Sequence, residues 1–318
     1  MKGATLEYKL FDLHCDTPYQ LFKESQNLKS NNLHIALDKA GVFTKYAQIA
    51  AIWSDADLDD EEAYTAFWRI LNNFKYEIEL NRQHAAICRS YDDLVQIPDE
   101  YAAFFLAIED ARILSGNIER IREVYDAGVR FISMNWQGEN ALGGGYDTNS
   151  PLTHLGKSVA GLALDLGMVL DVSYSSAKVV DELAEMAAAV KRPIIATHSN
   201  SNSVAVHPRN LTDDQFTKIV QSGGIVGISL AHSHLCGKGS TVASIEHVID
   251  HIEYYLGLDG QHTVCLGCDF DGITNTPCDI ENIGELYKLA DAMSAKNFSD
   301  ELINAIFYQN AYNFLKKI

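Results

Sequence analysis

The sequence predicts an α/β fold, a (β/α)8 TIM barrel, and two observations carry that expectation. Eight short apolar runs recur along the 318 residues, with segments of helical spacing between them. The polar residues of chemical interest collect at the carboxyl ends of those runs, where the βα loops of a barrel gather. The same alternation also allows a doubly wound open sheet, which is the alternative.

In order, the runs are YKLFDLH (8–14), YAQIAAIW (46–53), AAFFLAIE (102–109), VRFISMNW (129–136), GMVLDVSY (167–174), PIIATH (193–198), GIVGISL (224–230) and HTVCLGCD (262–269). Each is nearly continuous in apolar character, as strands covered on both faces are. Between them, Ile118, Ile121 and Val124 precede Gly128 at helical spacing. Val179, Val180, Leu183, Met186 and Ala187 follow the fifth run. Phe216, Ile219 and Val220 follow a capping box at Thr212–Gln215. Ile245, Val248, Ile249 and Ile252 precede Gly257, a predicted helix stop. Longer helical stretches lie at about 60–83 and 299–317.

Composition narrows the function classes. Hydrophobic residues make up 47% and charged residues 21%, which supports a sizeable core and excludes global disorder. Lys+Arg is 25 against Asp+Glu 43, a formal charge of −18, and such a chain repels phosphate backbones. Nucleic acid is therefore not an expected partner. No apolar window is long enough for a membrane span and the amino terminus lacks a signal-peptide core, so a cytoplasmic protein is expected. Cys15, Cys88, Cys236, Cys265, Cys268 and Cys278 read as scattered thiols rather than a disulfide framework. No Gly/Ser-rich linker breaks the chain, which reads as one domain over 1–318.

The ends of the runs hold the chemistry. His14 and Asp16 are two apart, so on a strand both point to one side and form a claw for a divalent metal. Glu109 ends FFLAIE; a carboxylate buried there needs a cation or hydrogen-bond partners, a salt bridge being the plainer option. His198 ends PIIATH, and Asp269 follows CLGC and precedes FDG, where a helix or turn cap is the plainer reading. Asn135-Trp136 end the fourth run, and Asp171, Ser173 and Tyr174 end the fifth. Imidazole and carboxylate donors suit zinc or a similar borderline metal. Such an ion brings the pKa of a bound water to about 7 and polarises a carbonyl. The reaction class is then metal-assisted hydrolysis of an amide or ester, with Asp269 shuttling the proton. His232 and His234 have ligand spacing but fall just past the seventh run, and are read as non-ligating.

FDLHCDT (11–17), AIED (107–110), AGVRFISMNWQGENALGGG (127–145), GMVLDVSYSS (167–176), THSNSNSVAVHPRNLTDD (197–214), GGIVGISL (223–230) and CLGCDFDG (265–272) together resemble the membrane (renal-type) dipeptidase family. These are zinc dipeptidases of the amidohydrolase superfamily, peptidase family M19, and the resemblance runs from about residue 8 to 318. It implies a barrel of the metal-dependent hydrolase type with two zinc ions at its mouth, and hydrolysis of dipeptides with a free carboxylate. His14 and Asp16 would bind the first ion, Glu109 would bridge both, and His198 would bind the second. Arg209 would grip the substrate carboxylate, and Asp269 would be the general acid/base. Family members are often homodimers, so a homodimer is a possible assembly.

Two positions depart from the family pattern. Trp136 stands where the family often has a His beside the substrate carbonyl. Tyr174 stands where the family has a His that ligates the second ion, and both residues are assigned here to substrate binding. A phenol has an ordinary pKa of about 10 and must lose its proton to ligate well. The departure at Tyr174 opens two alternatives, a pseudo-enzyme that binds a peptide without turning it over, and a mononuclear amidohydrolase acting on another amide.

Overall fold

A computed structural model describes residues 8–115, 117–237 and 242–318. Each of the eight runs overlaps one barrel strand: β1 (Lys9–Cys15), β2 (Lys45–Ile52), β3 (Ala102–Ile108), β4 (Val129–Ser133), β5 (Val169–Asp171), β6 (Ile194–Ile195), β7 (Val226–Ile228) and β8 (Val264–Leu266). All pair in parallel, in the order β7-β8-β1-β2-β3-β4-β5-β6. A parallel bridge from Ala196 to Val226 joins the two ends, so the sheet closes into a (β/α)8 barrel. The open-sheet alternative is excluded by that closure. A short extra strand, Ala85–Cys88, pairs with the first half of β3, and β4 takes the second half.

The strands are apolar throughout because both faces are buried. Along β3, Ala102, Phe104, Leu106 and Ile108 face the helical layer, while Ala103, Phe105 and Ala107 face the barrel interior. Phe105 stacks on Phe11 of β1 inside, ring centroids 5.6 Å apart. Burying a Phe at such a position contributes about 1.5–3 kcal/mol. Tyr308, Ala311 and Phe314 plug the interior from below. The carboxyl-terminal stretch that supplies them runs as Asp300–Asn304, a π-turn at Ala305–Gln309, and Asn310–Leu315. The π-turn lets Phe307 face the outer layer and Tyr308 the interior.

Local capping follows the sequence. Thr212 and Gln215 form the expected box at the start of Asp213–Ser222, which ends at Gly223 with φ +78°. The stretch expected at 60–83 is helical over Asp60–Leu80; Asn81 caps it, and a turn then leads to the extra strand. The helix Ile245–Leu256 does end at Gly257, but with φ −66°, so no left-handed residue is used there. All six cysteines are free. Among the described residues no helix is long and apolar enough to cross a membrane.

Candidate active site

The barrel mouth collects the polar ends of the strands. His14 lies on β1 and is 2% exposed. Asp16 falls one residue beyond that strand, not on it as the spacing suggests: with φ −102° and ψ 19° it starts the helix Thr17–Lys23. Its N–H donates to Phe270 at 3.0 Å, which ties the chain to the segment after β8. The carboxylate still comes within 3.5 Å of His14 Nε2. Glu109, one residue past β3, brings Oε2 to 3.1 Å from the same nitrogen. His198, three past β6, stacks on His14 with ring centroids 3.6 Å apart.

Asp269 follows β8 in a left-handed conformation, φ +62°, and Asp271 repeats it at +67°. Each such residue costs roughly 1–2 kcal/mol, and strain of this kind concentrates at functional sites. The resulting tight loop lays Gly272 against Asp16 and Asp269 so closely that a Cβ would collide with both carboxylates.

Two groups of donors emerge, His14–Asp16–Glu109 and His14–His198–Asp269, with ligand atoms in each within 4.8 Å of one another. His14 Nε2 and His198 Nε2 are buried without a hydrogen bond, and the 3.1 Å approach of Glu109 to His14 is a charge contact. Burial pushes Glu109 up to about 7, with Asp16 adding to it and His14 opposing. Burial also pushes Asp269 up to about 8, against the pull of His14 and with Asp16 and Glu109 adding. For His14, burial would lower the pKa, but Glu109 and Asp16 override it and hold the imidazole well above its usual range. Burial drives His198 well below its usual range, and His14 adds to that. Crowded carboxylates and unpartnered imidazole nitrogens are short of positive charge, so the residues fit a divalent cation.

A network beneath the imidazoles fixes which nitrogen faces the mouth. Asp171, at the end of β5, accepts from Ser173 N (2.9 Å), Ser173 Oγ (2.6 Å) and Thr197 N (3.0 Å) through Oδ1. Its Oδ2 accepts from Thr197 Oγ1. The only hydroxyl proton of Thr197 is spent there, so Oγ1 must accept from His198 Nδ1 at 2.9 Å. His198 therefore carries its proton on Nδ1 and offers a bare Nε2. Sequence reading places Asp171 at a strand end but misses its link to Thr197, which exists only because β5 and β6 are neighbours.

The opposite side of the mouth is aromatic. Arg209 is 2% exposed, and its guanidinium lies 3.8 Å over the Tyr174 ring. Its terminal nitrogens donate to Ser199 Oγ (2.8 Å) and the His198 carbonyl (2.9 Å), while Nε is buried and unpaired. Tyr174 meets His198 edge-on at 5.1 Å, and Trp136 stands 6.2 Å from Tyr174 and 5.3 Å from Trp53. Burial, with Glu109 beside it, raises the Tyr174 phenol well above its usual range. A cavity of about 120 Å³ is lined by Trp53, Trp136, Tyr174, Glu109 and Asp269. Trp53, just past β2, and Tyr19, in the helix Thr17–Lys23, also line it and were not among the expected site residues. A larger hollow of about 390 Å³ around Arg89, Arg130 and Arg192 holds none of these groups. His234 is packed against His207 at 4.8 Å and, with His232, lies outside both donor groups.

The sequence profile of the membrane dipeptidase family, peptidase family M19, matches residues 4–318. The chain belongs to that family. An uncharacterised protein from the pqqA 5′ region of Klebsiella pneumoniae is 30% identical over 262 residues, 79% of this chain and 95% of that protein. Dipeptidase aclJ of Aspergillus oryzae is 29% identical over 204 residues, which are 62% of this chain and only 47% of that relative. Among solved structures, an M19 metallopeptidase described as dipeptidase AC superposes with a TM-score of 0.90 at 24% identity, covering 98% of both chains. A metallopeptidase from Rhodobacter sphaeroides, liganded with a phosphinate mimic of L-Ala-D-Ala, also gives 0.90 at 24% identity over 98% of this chain and 99% of that one. These likenesses establish an M19 barrel for this family member.

Proposed function

We propose that this membrane dipeptidase family member is a zinc-dependent dipeptidase, with 1–318 acting as one catalytic domain. The observation that carries the reading is the pair of buried Nε2 atoms of His14 and His198, neither hydrogen-bonded, clustered with Asp16, Glu109 and Asp269. A zinc ion held by His14, Asp16, Glu109 and His198 would polarise the scissile carbonyl and ease deprotonation of water. The rest of the work falls to the chain. Arg209 takes the free carboxylate of the substrate, the role that suits a planar fork of fixed charge. The Trp136 indole N–H offers one hydrogen bond at the rim. Asp269 takes a proton as the water oxygen bonds to the carbonyl carbon, and returns it to the amine nitrogen as the C–N bond breaks. Two free amino acids leave.

The small cavity and the dipeptide mimic bound by the R. sphaeroides relative support a dipeptide over a longer peptide. Chelation should abolish hydrolysis and zinc should restore it. A panel of L,L and L,D dipeptides left intact at saturating zinc would sink the reading. Tyr174 favours a second one, a binder without turnover, which the same panel decides.

A further inference from the structure

The family pattern has two ions, and the donors of this chain do not fit two. Among the described residues, both groups of three His, Cys, Asp or Glu side chains able to hold a metal contain His14. One imidazole Nε2 has one lone pair and serves one ion. The two groups are therefore alternative seats for a single ion, and the ring of His198, 3.6 Å from that of His14, aims its bare Nε2 at the same place.

The end of β5 supplies a phenol where a further imidazole would complete a second seat. Tyr174 is fixed there by Arg209 over its face at 3.8 Å and by His198 against it at 5.1 Å. Trp136 and Tyr146 flank it at 6.2 and 6.0 Å. It lines the cavity beside Glu109 and Asp269, and its hydroxyl makes no hydrogen bond among the described residues. A fixed O–H with nothing to bind, opening into the reaction cavity, is placed to meet a carbonyl oxygen whose charge grows during attack.

We infer that the mouth holds one divalent cation, and that Tyr174 fills the place of the second as a hydrogen-bond donor to the substrate carbonyl oxygen. The inference rests on the dipeptidase reading for its substrate, but its metal count does not. The full chain is loaded with zinc, dialysed against metal-free buffer and assayed for zinc per chain. One equivalent is expected for the wild type and for Tyr174→Phe, and two for Tyr174→His. Dipeptide kcat in Tyr174→Phe should fall on the order of 100-fold, as for loss of one oxyanion donor. Two equivalents in the wild type overturn the inference, and so does a zinc content of Tyr174→Phe below one. If no dipeptide is cleaved, the dipeptidase reading fails separately. The donor role is then read from a phosphinate dipeptide, whose affinity should drop at least about tenfold in Tyr174→Phe; unchanged affinity overturns it.

Discussion

Thr197 Oγ1 accepts a hydrogen bond from His198 Nδ1 at 2.9 Å, and the same oxygen stands 3.3 Å from Nδ1 of His14. One hydroxyl thus orients both imidazoles of the mouth, and Asp171 fixes the hydroxyl. Partners of this kind set ring orientation and tautomer, and their loss typically costs 10–100-fold in metal affinity. Thr197→Val keeps the shape and removes the acceptor. Its zinc affinity, measured by competition with a chelator, should fall within that range, about 10–100-fold. Thr197→Ser should restore most of it. Equal affinities in all three proteins would remove Thr197 from this role.

Gly272 tests how tightly the carboxylates are packed. The atoms a Cβ at this position would meet first are Asp16 Oδ2 and Asp269 Oδ1, the ends of two side chains rather than backbone. Gly272→Ala should therefore displace both carboxylates while leaving the barrel intact. Zinc content and hydrolysis are expected to drop together, with the melting temperature of the metal-free protein nearly unchanged. A variant that keeps its zinc and its activity would show that the loop can move aside.

The legible and illegible parts of this molecule divide along one line. Strand–helix alternation announced the barrel because both faces of every strand are buried, as the alternating partners of Phe104 and Phe105 show. His14, Asp16, Glu109, His198, Arg209 and Asp269 stood out because polar groups end apolar runs. Their convergence could be expected only from barrel closure, which pairing near Ala196 and Val226 supplies. Three features had no local signature. Asp16 leaves the strand yet still meets His14; Asp171 works through Thr197 on the next strand; and Trp53 reaches the site from the end of an ordinary core strand. Each depends on contacts between segments far apart in sequence.

Arg209 is expected to define the substrate by its carboxylate. Removing one partner of a buried charge pair costs about 2–5 kcal/mol, which at about 1.4 kcal/mol per decade is roughly 30-fold or more. Arg209→Lys keeps the charge but loses the fork and the stacking on Tyr174. Its kcat/KM for dipeptides should fall by at least that factor, mainly through KM. A dipeptide amide, lacking the carboxylate, should be cleaved poorly and about equally by both proteins. If the variant discriminates against the amide as strongly as the wild type, the carboxylate is held elsewhere.

The metal-free site should make the protein less stable as pH rises from 6.5 to 8.5. Glu109 and Asp269 have folded pKa values of about 7 and 8, pushed up chiefly by burial, against ordinary values near 4. In this window the folded chain binds more protons than the unfolded one, so the slope of unfolding free energy with pH is negative. His14 acts in the same direction: its pKa is held above the usual 6.5, so the stability it gains from Glu109 and Asp16 is lost as pH rises through the folded value. His198 is pushed down by burial, so its penalty grows as pH falls through the ordinary 6.5 and opposes the trend only at the acid edge of the window. The melting temperature of chelator-treated protein should therefore fall steadily from pH 6.5 to 8.5. Saturating zinc should flatten the curve and raise its alkaline end most, because the cation favours ionised carboxylates and bare imidazoles. A metal-free melting temperature that rises over this range would mean that Glu109 and Asp269 are already ionised at pH 6.5, and that the site is not short of positive charge.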